Sequence, residues 1–115
     1  MAPGGNFWVA MAMHNGSSTV VGIIGLLRIS EDVGQIRRVF VDPKYQRMSV
    51  GRKMIAQLES WSKENGIKTL FLTTNANNKK PQAFYSALGY TKTDEYLHDW
   101  TDPLYFQVFK FIKQL

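Results

Sequence analysis

The residues of this chain best placed to do chemistry lie between Val39 and Lys53, in the run Val39-Phe-Val-Asp-Pro-Lys-Tyr-Gln-Arg-Met-Ser-Val-Gly-Arg-Lys53. An apolar, strand-like stretch stops at Asp42-Pro43, and a helical pattern opens with small residues at Ser49 and Gly51. The first turn of a helix carries N–H groups without intrahelical partners and the positive end of its dipole, a combination suited to a diphosphate. Arg47, Arg52 and Lys53 add positive charge, which is unfavourable at a helix N-terminus unless an anion accompanies it. The same residues also fit an ordinary strand-to-helix turn with a solvated basic rim, and spacing alone leaves both readings open. Other residue types say less. Tyr85 fits a packed ring with a locally bonded hydroxyl, although a phenol can also give a proton to a departing thiolate. His14 sits in a turn, and His98 beside Asp99 and Trp100 has neither the nucleophile of a triad nor the spacing of a metal site. The chain has no cysteine, which excludes a disulfide framework, a thiolate metal site and a cysteine nucleophile without naming a compartment.

These residues need a scaffold, and the pattern around them supplies one. Phe7–Met13 and Thr19–Ile29 read as strands joined at Asn15-Gly16, a hairpin turn signal. Their nearly continuous apolar character predicts an antiparallel pair buried on both faces. Gln35–Val41 is a third strand, ended by a proline that cannot donate to a ladder. A helix is expected over about Ser49–Asn65, with Val50, Met54, Leu58 and Trp61 on one stripe and Ile55 beside them, stopped by Asn65-Gly66. Ile67–Thr74 is a fourth strand and Asn75–Lys80 a polar loop. Pro81–Leu88 forms a shorter helix, with Pro81 in its first turn and Gly89 after its end. Tyr90–Tyr96 and Leu104–Ile112 complete the order strand, strand, strand, helix, strand, helix, strand, strand. That order predicts a layered α/β (α+β) fold, a sheet covered by helices.

At 115 residues, residues 1–115 are expected to form one domain with its core at 7–112. A hydrophobic share of 44% with 13% aromatics argues for a packed interior and against disorder. The net charge of +5 points to anionic partners, either nucleic acid or a polyphosphorylated small molecule. No run approaches the ~20 apolar residues of a membrane span, and Met1–Gly5 lacks the regions of a signal peptide. The expectation is a soluble chain, cytoplasmic by default.

Three motifs in order carry a resemblance. Gln46-Arg-Met-Ser-Val-Gly51 resembles the acyl-CoA signature of the GNAT acetyltransferases, Arg/Gln-x-x-Gly-x-Gly/Ala. Val39-Phe-Val-Asp-Pro43 is similar to the central strand of that family, and Ala83-Phe-Tyr-Ser-Ala-Leu-Gly-Tyr90 to its Leu-Tyr-x-x-x-Gly-Phe helix end. Tyr96–Trp100 followed by Val108–Ile112 resembles the camello-like subgroup, relatives of the cysteine S-conjugate N-acetyltransferases. The likeness runs from about Phe7 to Ile112. It implies the GNAT acyl-CoA N-acyltransferase fold and transfer of an acetyl group from acetyl-CoA to a primary amine: a small-molecule amine, an amino-acid conjugate or a lysine.

The resemblance also implies roles. The strand at Val39, Phe40 and Val41 would splay from its neighbour and pair with the pantetheine arm, the Val39 N–H facing the thioester carbonyl as an oxyanion donor. Gln46, Arg47, Met48, Ser49, Val50, Gly51 and Arg52 would hold the pyrophosphate, and Asn78 would touch the cofactor. Tyr85 would protonate the thiolate. Ser49 departs from the signature by replacing its first glycine, and its Cβ would crowd a phosphate that its hydroxyl could also bond. Gln35, which cannot usefully accept a proton, stands where some members carry a glutamate base; Glu31, Asp32, His98 and Asp99 could act directly or through water, and no base is assigned. Without a cysteine, direct transfer in a ternary complex is the expected mechanism. A complete domain of this type would carry a further strand and two helices ahead of Phe7, where only Met1–Asn6 stand here, and an edge strand at Phe7–Met13 would favour a homodimer. Camello-like relatives also carry an upstream membrane segment, which is not present in this sequence. Two rivals are an acetyl-CoA-binding protein without turnover and a small basic nucleic-acid-binding domain. The densest positive cluster, Lys44–Lys53, coincides with the phosphate cradle, so no nucleic-acid partner is expected.

Overall fold

The computed structural model describes residues 5–75, 79–98 and 106–115. The strands are β1 (Asn6–His14), β2 (Ser17–Arg28), β3 (Val33–Val41), β4 (Thr69–Asn75), β5 (Thr91–His98) and β6 (Phe106–Gln114), with helices α1 (Val50–Glu64) after β3 and α2 (Lys79–Ala87) after β4. They form one sheet in the order β1-β2-β3-β4-β6-β5. Only β3 and β4 run parallel, with α1 making the crossover; the other neighbours are antiparallel. The mixed α/β layer expected from the sequence is therefore present, element for element. A 3₁₀ helix over Pro43–Met48 was not foreseen; Asp42 caps it by accepting a hydrogen bond from the Lys44 N–H at 2.9 Å.

Local chemistry accounts for the joints. Asn15 and Gly16 both take positive φ, 50° and 79°, the backbone that a two-residue hairpin needs to match the twist of its strands. The α1 terminus closes with Gly66 at φ 83° and the Ile67 N–H returning to the Ser62 carbonyl, a left-handed stop. The N–H groups of Lys68 and Thr69 both donate to the Asp32 carbonyl, which pins the start of β4 beside the start of β3.

The core lies between the sheet and α1. Met54, Ile55 and Leu58 from α1 meet Ile24, Leu26, Ile36, Leu70, Leu72 and Phe111 from the strands. Each fully buried aliphatic side chain contributes on the order of 1.5–3 kcal/mol relative to exposure. Trp8 on β1 packs edge-on against Trp61, with ring centroids 5.7 Å apart. Ser62, buried on the same helix, returns its hydroxyl to the Leu58 carbonyl at 2.7 Å.

One expectation fails here. The β1–β2 pair is not buried on both faces: Phe7, Val9, Met11 and Met13 are exposed, Met13 at 72%, as is Val20. Alternate residues of a strand point to opposite faces, and α1 packs on one face of β1–β3. Asn6, Trp8, Ala10 and Ala12 turn inward, while Phe7, Val9, Met11 and Met13 do not.

Candidate active site

The functional geometry starts from a fault in β3. On the β2 side, Ile23 is opposite Phe40 and Gly25 is opposite Arg37, so one β2 residue faces two β3 residues, Arg38 and Val39. This is a β-bulge, and Arg38 adopts a left-handed φ of 56° to make it. On the other side, β3 pairs with β4 only from Val33 to Gln35, opposite Thr69 to Phe71. Beyond that point the two parallel strands part. Arg38 and Val39 thus have register partners on neither side, and on the β4 side the ladder is open from Ile36 onward.

The bulge also resets which side chains face inward. Strict alternation would put Ile36, Arg38 and Phe40 on one face and Val39 and Val41 on the other. Instead Ile36, Arg38, Val39 and Val41 all line one cleft, while Phe40 turns outward and is 55% exposed. The cleft has a volume of about 750 Å³. Its opposite wall is Leu72, Thr73 and Thr74 of β4, and it is closed by Ser49, Gly51 and Arg52 at the start of α1 and by Lys80, Pro81, Phe84 and Tyr85 of α2.

Its chemistry suits an elongated anion. Arg38, Arg52 and Lys80 line it, and no carboxylate does among the described residues. The first turn of α1 carries no acidic residue, and Ser49, at its N-cap, makes no capping hydrogen bond with its side chain. The opening amides of α1 are therefore left to an external acceptor. The Thr74 hydroxyl is buried in the cleft wall without a partner, and such an orphaned group costs free energy until something bonds to it. On these observations the residues fit a diphosphate ligand with a polar arm running between the strands.

Gly51 serves a further purpose that its place in the signature does not reveal. A Cβ there would lie 3.1 Å from the Phe84 ring and 3.7 Å from Val41. The missing side chain lets α1 and α2 close around the cleft mouth. Ser49 sits at φ 62°, a left-handed conformation that suits glycine and strains other residues.

Two buried tyrosines differ in what holds their hydroxyls. Tyr90 donates to Glu59 at 2.7 Å, and Glu59 is also paired with Lys113 at 3.1 Å. Burial and the neighbouring carboxylate push the Tyr90 phenol far up. Tyr85, 5% exposed, packs among the rings of Phe84, Tyr90 and Phe111 and lines the cleft. Burial pushes its phenol up from 10.0 to about 12, so it keeps its proton throughout the neutral range, as a proton donor must.

The structure brings Val39, Val41, Gln46, Ser49, Gly51, Arg52 and Tyr85 together, as the motifs predict. Gln46 is partly engaged already, its side-chain amide donating to the Val41 carbonyl at 3.3 Å. Phe40 can contribute only its backbone. Val50 faces a different groove of about 670 Å³ between β1 and α1. Arg47 and Met48 end the 3₁₀ helix that leads into α1. Asn78 and Asp99 lie outside the described residues. Gln35 sits in the paired part of β3, and neither Glu31 nor Asp32 lines the cleft. Sequence reasoning missed Arg38, Thr74, Lys80 and Phe84. Lys80 and Phe84 flank recognised residues of α2 and could have been inferred from helical spacing; Arg38 carried no local signal. Among the described residues no cluster could hold a metal ion and no helix is long and apolar enough to cross a membrane.

A parallel pair splays beside a helix N-terminus, with a buried phenol in the gap, and comparison with known proteins places this arrangement in a family. Residues 1–90 match the model of the Acetyltransferase (GNAT) family, and the chain belongs to that family. It is similar to the ribosomal protein bS18-alanine N-acetyltransferase of Escherichia coli, 33% identical over 61 residues that cover 53% of this chain and 41% of that protein. It is also similar to N-acetyltransferase family 8 member 3 of Rattus norvegicus, 25% identical over 103 residues, 85% of this chain and 43% of that protein. The chain thus spans less than half the length of these curated relatives. Among solved structures, a GNAT family acetyltransferase of Elizabethkingia anophelis with acetyl-CoA bound shares the fold, with a TM-score of 0.80 at 16% identity over 96% of this chain and 76% of that one.

Proposed function

We propose that this chain, as one domain, transfers the acetyl group of acetyl-CoA to a primary amine by direct attack in a ternary complex. The observation that carries the reading is the cleft opened where β3 leaves β4, with uncapped α1 amides at one end and Tyr85 in its wall. Its support is family membership and the acetyl-CoA held by a relative of the same fold. The amides of residues 50–52, with Arg52, grip the pyrophosphate, and those of Arg47–Ser49 lead into that grip. The exposed backbone of Val39–Val41 pairs with the pantetheine arm, and the Val39 N–H donates to the carbonyl oxygen as negative charge develops there. The amine nitrogen forms its bond to the carbonyl carbon, the carbon–sulfur bond breaks, and the Tyr85 hydroxyl gives its proton to the departing sulfur. The proton lost by the amine passes to solvent, and the Tyr85 phenolate takes a proton back from solvent before the next turnover. Asn78 belongs to the cofactor contacts in this reading.

The likeness of the Tyr96–Trp100 and Val108–Ile112 stretches to the camello-like subgroup supports a small amine or amino-acid conjugate as acceptor. Self-association through the unpaired β1 edge belongs to the same reading, and sedimentation over a range of concentrations checks it.

Thermal-shift titration tests the first half: a ligand that binds the native state raises its apparent stability by RT ln(1 + [L]/Kd). Acetyl-CoA should raise the melting temperature. Mass spectrometry of an amine panel incubated with acetyl-CoA tests the second half, each acceptor gaining one acetyl group. A shift without any acetylated product would leave a binding protein and remove the transferase. Salt-sensitive nucleic-acid affinity without a CoA response would remove both.

A further inference from the structure

We propose that Arg38 selects the acceptor, and that the acceptor carries a carboxylate close to its attacking amine. This rests on the transferase reading above and narrows it to a substrate class. The β3 bulge inserts one extra residue into the strand, and that residue is an arginine held at φ 56°. Without the insertion Val39 and Val41 would face away from Ile36; with it, the cleft lining gains an arginine that has no register partner on β2 or β4. Among the described residues the one ion pair is Lys113–Glu59, remote from this wall in sequence and in lining. Arg38 has no carboxylate partner there.

Position along the cleft separates Arg38 from the other cations. Arg52 stands in the first turn of α1 and Lys80 in the first turn of α2, where phosphate oxygens meet helix amides. Arg38 stands at the other end, near the fork at Gln35 and Phe71 where β3 and β4 meet, with Val39–Val41 between it and the helix end. An extended ligand gripped by its diphosphate at the helix end presents its far end, the thioester, toward the fork. Arg38 is one residue from the Val39 N–H that would hold the carbonyl. A planar guanidinium binds a carboxylate through two parallel hydrogen bonds, so an α-amino acid or an amino-acid conjugate anchored there would present its amine to the carbonyl carbon. A lysine side chain of a protein offers no such anion next to its amine.

The test is a comparison of kcat/KM for leucine, methionine and phenylalanine against their carboxamides, by mass spectrometry and thiol release. The acid-to-amide ratio should fall at least tenfold in Arg38→Gln and recover in part in Arg38→Lys. Dividing the variant's ratio by that of the unmodified chain cancels the lower basicity of the amide amines. Acetyl-CoA affinity from thermal shift should change less than twofold. Arg38→Gly, which suits a positive φ, should keep or raise the melting temperature while losing the selectivity, which separates recognition from folding. An unchanged ratio would overturn the proposal, as would a tenfold loss of acetyl-CoA affinity, which would assign Arg38 to a phosphate. Acetylation of amides alone would overturn it and leave the transferase intact. Acetyl-CoA binding with no acceptor turned over would end both readings together.

Discussion

The two ends of β3 use the same strand for opposite purposes. At Val33–Gln35 it is hydrogen-bonded to both neighbours, and Gly34 is wedged so tightly that a Cβ would come within 2.8 Å of Leu26 and 3.2 Å of Leu70. At Arg38–Val39 it pairs with neither neighbour, carries a left-handed arginine and borders open space. The closed end is where burial stabilises the fold; the open end gives up ladder partners, and in the proposed reading its backbone meets the ligand. The lesson is that site and stability separate along one element within a few residues, so substitutions at the two ends should fail in different assays.

The largest effect is expected at the open end. Gly51→Leu would drive a side chain into the Phe84 ring and the cleft mouth, and the acetyl-CoA thermal shift should vanish, a loss of at least ~100-fold in affinity, equivalent to about 2.7 kcal/mol. A preserved shift would mean that the helix start is not the grip. Tyr85→Phe should keep the shift and lower kcat by about 10²-fold or more, the range of a lost general acid. Because burial holds the Tyr85 proton to about pH 12, the rate of the unmodified enzyme should show no loss of this acid below about pH 11; the charged form appears only as pH rises through the raised value. Normal turnover by the phenylalanine variant would remove Tyr85 from the mechanism.

At the closed end the readout reverses. Gly34→Val should destabilise by about 1–3 kcal/mol through overpacking, read from denaturant midpoints, while the remaining folded protein binds acetyl-CoA normally. Weakened binding there would show that the two ends are coupled. Smallest of all, Ser49→Gly relieves a left-handed serine and should stabilise by about 0.5–1 kcal/mol, after the extra freedom that glycine gains in the unfolded chain. If the serine hydroxyl bonds a phosphate, acetyl-CoA affinity should fall as stability rises.

Local chemistry was readable along the chain. The Asn15-Gly16 turn, the Gly66 stop, Pro81 in the first turn of α2 and the Met54, Ile55, Leu58 stripe follow from φ preference and helical period, which depend on near neighbours. The Gln46–Gly51 stretch and Tyr85 were legible as motifs, and the structure places Gln46, Ser49, Gly51 and Tyr85 in one cleft. Periodicity could not say which face of β1 would be covered, because an apolar run looks the same whether one face or both are buried; the exposed Phe7, Val9, Met11 and Met13 follow from where α1 packs.

What the amino-acid order determined by itself is the succession of elements, their stops and the chemistry of the helix start. Tertiary structure alone decided that β3 bulges at Arg38, that its expected splay from β4 begins after Gln35, and that Gly51 answers to Phe84 thirty-three residues later. Each of these depends on the registers that β3 holds with β2 and β4, or on the approach of α1 to α2. Register is a relation between distant segments, and no property of Arg38 or its neighbours in sequence encodes it.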